Sequence, residues 1–385
     1  MDAYWTIVDG IYNTTLSLFF FTLMFLMLII GRKGWRAGNR YGGVSSIICG
    51  VCFLIFGYYN SLFRFFPYPY NGFMMWWISI IFTITGIFAL TIKRIIKKME
   101  YEAQNNIKTS NNDKKSSILR RYIKRMTKED PYQDEISIKM ELVRKSFHLM
   151  GFLILIAYYG FFLMPPLAQI VSDTVIVFVN QVEPSYNLLW GAISDFPYNM
   201  GDFNAVIDLT MFALMASLVF AIISDLIRIL WGPEYSIFNF LTKSMLRNKE
   251  RNAAGPQIYI MTGFMFSYML YMAGIIHILA FFAGILIACL SDAAAALIGR
   301  NFGKHKINLR NNDIKSIEGF IAGVVVAYLV GLFFVGPIYA IIGALVFFIT
   351  DYFPAFTADN ILNPIFIPIG IQIFIAILGL PVGLI

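Results

Sequence analysis

Long, unbroken apolar runs are the feature that most constrains how this chain can fold. About ten of them approach the roughly 20 residues that a helix needs to cross the hydrocarbon core of a bilayer. The approximate spans are 14–31, 43–62, 73–93, 146–164, 205–227, 257–273, 275–298, 317–335, 337–350 and 364–384. The run at 337–350 is short enough to be re-entrant instead. Because the runs are continuous and do not alternate with polar residues, they predict an all-α, polytopic integral membrane protein.

The positions of the basic residues predict the orientation of these helices. Of the 30 Lys and Arg, only Arg64 falls in a predicted outside loop. The others lie in four segments, 32–40, 93–145, 228–251 and 300–315. By the positive-inside rule these segments are cytoplasmic and both termini are outside. The net charge of +7 then reflects basic residues that lie on the cytoplasmic side, next to anionic lipid, and no nucleic-acid partner is expected.

Composition divides the chain into three parts. Residues 1–95 predict a three-helix membrane module with few polar groups inside the membrane. Residues 96–140 predict a charged cytoplasmic linker, in which the stretch 105–117 is too polar to pack a core and is expected to be disordered. Residues 141–385 hold nearly all the unusual polar residues and predict the functional membrane domain. Within it, the stretch 165–204 predicts a long, acidic outside loop, with room for an interfacial segment around 175–179.

A first polar cluster lies where the chain enters the membrane after the linker. Glu141, Arg144, Lys145 and His148 are spaced i, i+3, i+4 and i+7, which places them on one helical stripe. Two interpretations stay open. The stripe is either a helix start whose long side chains reach back to the interface, or a set of cations for a phosphate, with His148 orienting or hydrogen-bonding an acceptor.

A second cluster consists of Asp225 and Arg228 at the cytoplasmic end of an apolar run. Charges at the membrane edge are costly, so they are functional candidates by default. Their i, i+3 spacing is equally compatible with a local ion pair.

The third cluster is the richest. Asp292 lies near the end of an Ala-rich apolar helix, where an unpaired carboxylate is costly and a bound metal would relieve the cost. Gly299 and Gly303 leave the backbone free to turn its N–H groups toward an anion. The remaining members are Arg300, Lys304, Lys306, Lys315, Ser316, Glu318 and Gly319. A plain basic loop between helices is the alternative, but it leaves Asp292 and Glu318 unexplained.

A fourth cluster holds acids and an amide but no cation. It consists of Asp351 and of Asp359 followed by Asn360. Asp359 is suited either to capping the next helix or, with its neighbours, to contacting a metal or a ribose.

In this order, the four clusters resemble the CTP-dependent lipid kinase family, which includes dolichol kinase, phytol kinase and CTP-dependent diacylglycerol kinase and is related to the phosphatidate cytidylyltransferases. The resemblance covers about residues 141–385, and its most specific block runs from Ser291 to Lys306. The other matching residues are Glu141, Arg144, Lys145, His148, Gly151, Leu246, Arg247, Glu250, Gly255, Lys315 to Gly319, Asp351, Asp359, Asn360 and Pro364. Ser291 stands where the family usually has Gly, and Asp351 where it usually has Glu.

The resemblance implies CTP as phosphoryl donor, Mg²⁺ as cofactor and a membrane lipid as acceptor. The expected activity is phosphorylation of the terminal hydroxyl of a polyprenol, which gives polyprenyl phosphate and CDP for lipid-linked glycosylation. The alternatives, in order, are a phytol, geranylgeraniol or diacylglycerol kinase, a CTP:lipid-phosphate cytidylyltransferase, and a transporter. A transporter would place its charges near the bilayer midplane, whereas here they lie at one face.

The resemblance also implies roles for individual residues. Asp292 and Glu318 are expected to hold Mg²⁺. The expected catalytic group is Glu141, Arg144, Lys145, His148 and Asp225, in which Arg144 and Lys145 face the transferred group and His148 or Asp225 helps to deprotonate the acceptor. The expected nucleotide-binding residues are Gly299, Arg300, Gly303, Lys304, Lys306, Lys315, Ser316, Gly319, Asp359 and Asn360. The active site would face the cytoplasm, from the cell membrane of a prokaryote or the endoplasmic reticulum of a eukaryote.

Overall fold

The computed structural model describes residues 3–105, 118–128, 132–133, 165–191, 203–242, 246–247, 252–308, 314–353 and 357–383. Most of these residues are helical. The helices are α1 (Ala3–Arg36), α2 (Arg40–Phe63), α3 (Tyr70–Gln104), α4 (Ile118–Lys128), α5 (Pro165–Trp190), α6 (Phe203–Trp231), α7 (Ile237–Thr242), α8 (Pro256–Met272), α9 (Ile278–Phe302), α10 (Ile317–Val335), α11 (Pro337–Tyr352) and α12 (Asp359–Leu378). Two small sheets complete the secondary structure: β1 (Tyr132–Gln133) pairs in parallel with β2 (Leu246–Arg247), and β3 (Lys306–Asn308) pairs antiparallel with β4 (Ile314–Ser316).

Seven helices in the described part of the chain are long and apolar enough to cross a membrane. They are α1, α2, α3, α9, α10, α12 and the Met211–Trp231 part of α6. Two further predicted spans, 257–273 and 337–350, correspond to the shorter helices α8 and α11. The predicted span 146–164 lies outside the described residues. The chain is therefore an all-α membrane protein, while the count of ten spans and the orientation stay predictions.

One hydrophobic core joins the first three helices to the later ones. It contains residues of α1, α2, α3, α6, α8, α9 and α12, among them Phe20, Met74, Met215 and Tyr268. A hydrogen bond crosses the same contact, because the Trp77 indole N–H donates to the carbonyl of Ala216 at 2.9 Å. Residues 1–95 thus pack directly against the functional region, and the division into three domains stays a prediction.

The two ends of the helix bundle carry different polar groups. Near the start of α1, Asp9 forms an ion pair with Arg64 and accepts a hydrogen bond from the Asn71 side chain at 2.6 Å. Gly34 lies on the same helix about 37 Å away, at 1.5 Å per residue, and packs beside the backbone of Asn252. Arg64, the one basic residue predicted outside, is therefore at the opposite end of the bundle from the start of α8.

The stretch predicted as an outside loop, 165–204, begins with helix α5 over residues 165–190, which includes the predicted interfacial segment around 175–179; its place outside the membrane stays a prediction. The lack of Lys and Arg in this stretch bears on its side of the membrane and does not report its backbone conformation. At the helix end, the ring of Trp190 packs against Tyr12, Phe73 and Trp76, with centroids 4.7–5.8 Å apart. This aromatic cluster is a tertiary contact that a local pattern cannot predict.

The predicted linker 96–140 is helical at both ends of its polar stretch. Helix α3 continues to Gln104, and α4 packs Tyr122, Ile123 and Met126 against Ile92 and neighbouring apolar residues. Arg120 of α4 pairs with Glu102 of α3 at 3.1 Å. The stretch predicted to be disordered, 105–117, lies outside the described residues from 106 onward.

Helices α9 and α10 pack so closely that their backbones are in contact along a stripe of small residues. A Cβ at Gly319 would lie 2.7 Å from the Cα of Gly299 and would clash with the carbonyl of Ala295. One turn further along α10, a Cβ at Gly323 would lie 3.1 Å from the Cβ of Ala295. Small residues of this kind let membrane helices pack closely, and here they bring the start of α10 against the polar end of α9.

We predict that Gly319→Ala lowers the thermal midpoint of the detergent-solubilised protein. The added methyl group overpacks the α9–α10 contact, at a cost of about 1–3 kcal/mol. The matched control is Gly86→Ala in α3, where a Cβ would meet nothing within 4 Å; this change should leave the midpoint unchanged or raise it. A Gly319→Ala protein as stable as the Gly86→Ala protein would contradict the close packing.

Candidate functional site

Three carboxylates from three helices meet at one end of the bundle. Asp292 comes from α9, Asp351 from the end of α11, and Asp359 is the first residue of α12. One oxygen of each lies within 4.8 Å of the others. The side chain of Asp351 is 2% exposed and that of Asp359 is 25% exposed, so the group opens toward solvent on the Asp359 side.

The ammonium group of Lys315 sits among these carboxylates. Its Nζ lies 2.6 Å from Oδ1 of Asp351, 3.3 Å from the Asp351 carbonyl oxygen and 3.6 Å from Oδ2 of Asp359. Burial alone would lower the pKa of Lys315, but the charges of Asp351 and Asp359 outweigh it and hold the pKa above its usual range. Lys315 therefore stays protonated and cancels part of the negative charge of the site.

The β3–β4 hairpin places Lys315 in this position. Its register sets Ile307 opposite Lys315 and Lys306 opposite Ser316. Since neighbouring residues of a strand point to opposite faces, Lys306 lies on the other face of the hairpin from Lys315. Lys304 and Lys306 are exposed, as is Arg300 at the end of α9. Lys315, by contrast, lies among the carboxylates.

Glu318 has a different set of neighbours from the one that the sequence predicts. Its Oε1 lies 2.6 Å from Nδ1 of His305, and the His305 backbone N–H donates to the same carboxylate at 3.2 Å. This contact joins the hairpin to the first turn of α10. The carboxylates that form a group with Asp292 are those of Asp351 and Asp359.

The three predicted phosphate-loop glycines lie at packing contacts. Gly299 and Gly319 face each other between α9 and α10, and a Cβ at Gly303 would lie 2.5 Å from the Cβ of Ser316. Ser316 itself caps α10, since its Oγ accepts a hydrogen bond from the N–H of Gly319 at 3.1 Å. These residues shape the helix start beside Lys315, and their contact with a nucleotide stays a prediction.

Asp225 and Arg228 form a buried ion pair. Arg228 donates from Nε to Oδ1 of Asp225 at 2.5 Å and from Nη2 to Oδ2 at 3.0 Å. Each residue also holds the backbone before α8: Arg228 donates to the Ala253 carbonyl at 2.6 Å, and Asp225 accepts from the Gly255 N–H at 2.8 Å. Both oxygens of Asp225 are thus engaged, which favours the ion-pair interpretation of this cluster.

The remaining predicted catalytic residues, Glu141, Arg144, Lys145 and His148, lie outside the described residues. Their positions relative to the carboxylates stay predictions. Asp359 and Asn360 begin α12, and the Asn360 N–H donates to Oδ1 of Asp359 at 2.8 Å.

A model described as the cytidylyltransferase family matches residues 137–377, which is more than half of the chain. The chain belongs to the cytidylyltransferase family. No curated protein and no solved structure matches it. The family consists of lipid-related transferases that use CTP, so this is a membrane protein of a CTP-using enzyme family. The matched range contains all four members of the carboxylate–lysine group and begins close to residue 141.

The donor set of this cytidylyltransferase-family site fits a divalent cation that prefers oxygen ligands. The group combines three carboxylates with the one ammonium group of Lys315, so carboxylate oxygens predominate among its possible donor atoms. Moreover, Oδ2 of Asp351 is buried and has no hydrogen-bond partner in the part of the chain that the structure describes. A buried carboxylate oxygen without a partner is costly. If a hard cation such as Mg²⁺ were bound here, this oxygen could coordinate it and the cost would be removed.

Asp351 belongs to the fourth cluster, for which the sequence leaves open both helix capping and contact with a metal or a ribose. It ends an apolar helix with no Lys or Arg near it in sequence, so local pairing could not explain it. The absence of a basic neighbour in sequence is the feature that points to Asp351. Glu318 carries the same charge and lies closer to Asp292 in sequence. Only the packing of α11 beside α9 and α10 distinguishes the two acids.

We predict that Asp351→Asn weakens Mn²⁺ binding by at least about tenfold, because it removes one carboxylate from the donor set. Binding to the detergent-solubilised full chain is measured by electron paramagnetic resonance, with Mn²⁺ as the probe. Glu318→Gln is the control and should leave the affinity unchanged, since that carboxylate is bonded to His305. If Glu318→Gln weakened Mn²⁺ binding and Asp351→Asn did not, the metal ligands would be Asp292 and Glu318 instead.

A second prediction concerns the Asp225–Arg228 pair. Arg228→Met should lower the thermal midpoint strongly, because an unpaired buried carboxylate costs about 3–5 kcal/mol. The double variant Asp225→Asn/Arg228→Met should recover part of the loss, since no buried charge remains. If Asp225→Asn alone abolished activity while the midpoint stayed unchanged, Asp225 would be a catalytic residue instead of a structural one.

Proposed function

We propose that this protein is a CTP-dependent lipid kinase that phosphorylates the terminal hydroxyl of a polyprenol and releases CDP. The observation that carries the proposal is the group of three carboxylates around the half-buried ammonium of Lys315 at the end of the bundle. Such a group is suited to a polyphosphate that arrives with a divalent cation. The polyprenyl phosphate would serve as the carrier for lipid-linked glycosylation.

Asp292, Asp351 and Asp359 would hold Mg²⁺, in place of the pair Asp292 and Glu318 expected from the sequence. When bound, Mg²⁺ would neutralise charge on the phosphate oxygens and orient them for displacement. Lys315 is held beside the same carboxylates by two ion pairs. Its ammonium group would bind a non-bridging phosphate oxygen without a change in its own position.

The exposed cations around the hairpin would bind the rest of the triphosphate. Arg300, Lys304 and Lys306 extend from the end of α9 and from β3. Phosphoryl transfer requires mainly positioning and charge stabilisation from the protein, and cations at several points of the triphosphate supply both. The nucleotide would enter from the cytoplasm, the side that the basic segments predict for this end of the bundle.

The lipid acceptor would reach the site from the side, within the bilayer. The outer face of α10 carries the exposed apolar residues Ile321, Val325, Leu329 and Phe333 at intervals of four, one helical stripe that suits contact with lipid. The hydroxyl oxygen would attack the γ-phosphorus of CTP, the bond from that phosphorus to the β–γ bridging oxygen would break, and CDP would leave. The hydroxyl proton would pass to His148, with Arg144 and Lys145 facing the transferred phosphoryl group.

A cytidylyltransferase is the second candidate, and the description of the matched family favours it. In that reaction an oxygen of a lipid phosphate would attack the α-phosphorus of CTP, and pyrophosphate would leave. The same carboxylates and Lys315 would serve both reactions. The preference for the kinase rests on the resemblance of the block from Ser291 to Lys306 and of the stripe from Glu141 to His148.

The experiment that separates the two reactions uses CTP labelled at either the γ- or the α-phosphorus. Detergent-solubilised full-length protein is given Mg²⁺ and polyprenol, and the lipid fraction is counted. We expect label from the γ-position only, and loss of the signal by at least about a hundredfold in Asp292→Asn, since a missing charge-stabilising group costs 10²–10³ in rate. The matched control is Asp173→Asn, which changes an exposed carboxylate on α5.

Each contrary outcome has a definite meaning. Label from the α-position, found only with a phosphorylated lipid, would establish the cytidylyltransferase. Label from γ in diacylglycerol or geranylgeraniol but not in polyprenol would keep the kinase and change the acceptor. No transfer of either label to any of these lipids would overturn both candidates.

A further inference from the structure

A buried serine of helix α2 is bonded to the backbone that leads into the carboxylate site. Ser45 is fully buried, and its Oγ accepts a hydrogen bond from the N–H of Ala358 at 2.8 Å. The same oxygen lies 3.2 Å from Oγ1 of Thr357. Its own proton is donated to the carbonyl of Tyr41 at 2.8 Å. Ser45 is 313 residues away from Ala358 in sequence, so this contact ties the first helices to the last one.

The position of this contact matters for Asp359. Ala358 is the residue before α12 and has no side chain that can cap the helix. Asp359 follows directly as the first helical residue. The direction of its carboxylate is therefore set by the backbone at residues 357 and 358, both of which are buried. Ser45 supplies the hydrogen bonds that hold this short segment against α2.

The neighbouring serine shows that the arrangement is specific. Ser46 is also fully buried and also bonds back within its own helix, to the carbonyl of Gly42 at 2.8 Å. Its other contacts are the Ala254 N–H and the Tyr259 hydroxyl, both at 3.3 Å, at the start of α8. Ser45 and Ser46 thus bond to the backbone before two different helices. Ser45 bonds to the segment before α12, which begins with Asp359, and Ser46 bonds to the segment before α8.

We propose that Ser45 is a positioning residue for the carboxylate site: through the backbone of residues 357 and 358 it sets the Asp359 carboxylate against those of Asp292 and Asp351. This inference rests on the proposed function, because it takes the three carboxylates to be the metal ligands. It assigns an indirect role in the site to helix α2, which lies outside the range matched by the family model.

The test measures Mn²⁺ binding to the detergent-solubilised full chain by electron paramagnetic resonance. Ser45→Ala leaves the N–H of Ala358 without its acceptor and should weaken binding about tenfold, the lower end of the loss seen when groups behind a metal ligand are removed. Ser45→Thr keeps the hydroxyl and should bind like the unchanged protein. Ser46→Ala is the matched control, with equal burial on the same helix, and should leave the affinity unchanged.

A second readout and a second variant complete the test. In the labelled-CTP assay, Ser45→Ala should raise the Mg²⁺ concentration that gives half-maximal rate by a similar factor, with little change in KM for CTP. If Ser45→Ala does not purify as a monodisperse protein, Thr357→Val is used. It keeps the side-chain shape, removes the hydroxyl beside Ser45 and should weaken Mn²⁺ binding about threefold, within the usual worth of one hydrogen bond.

The outcomes separate this inference from the proposed function. If the unchanged protein binds Mn²⁺ and Asp292→Asn does not, but Ser45→Ala or its substitute binds normally, the positioning role is overturned. An equal loss in Ser46→Ala would also overturn it, because the effect would then be general loosening of α2. If Asp292→Asn binds as well as the unchanged protein, the metal site itself is wrong.

Discussion

The ammonium group of Lys315 is the interaction on which the candidate site depends. Without it, three carboxylates from three helices would repel one another at the end of the bundle. With it, Asp351 is held at 2.6 Å while deeply buried, and Asp359 is attracted to the same point. The hairpin, the cap at Ser316 and the close approach of α9 and α10 all serve to keep this one nitrogen in place. Lys315 supplies one positive charge against three carboxylates, so Lys315 alone does not neutralise the group.

The packing of small residues is the second constraint, and it acts before the charges do. Helices α9 and α10 touch at Gly299 and Gly319. Strand β4, which leads into α10, therefore ends beside the polar end of α9. A bulkier contact would move Lys315 away from Asp351 by the width of a side chain. The glycines that the sequence associates with a nucleotide are thus also required for the position of the nearest cation. Substitution of these glycines would impair the site whether or not they touch a ligand.

The sequence predicts the fold class correctly, whereas the grouping of acids within the candidate site depends on contacts between distant residues. The apolar runs correspond to described helices because a helix that crosses a bilayer must be apolar over most of its length, and composition alone reveals that. The sequence indicates Asp292 because an unpaired carboxylate near the end of an apolar helix is costly, and Lys315 because it precedes the next apolar helix. It offers Glu318, in the first turn of that helix, as a second metal ligand, whereas the structure groups Asp292 with Asp351 and Asp359. Ser45 gave no signal, since a buried serine in an apolar helix is commonplace and its partner lies 313 residues away.

The shortness of α11 has a consequence for the depth of the site. A single residue, Gly336 with φ of 84°, separates α10 from α11, so the turn between them is too tight to reach far beyond the membrane. From that turn, the 16 residues of α11 cover about 24 Å, and a hydrocarbon core is about 30 Å thick. If that turn lies at one interface and α11 runs along the bilayer normal, Asp351, near the far end of α11, would stand in a depression about 6 Å below the opposite interface. A lipid could present its polar end to such a depression while its tail stays fully immersed, and a water-soluble molecule would have to descend to meet it.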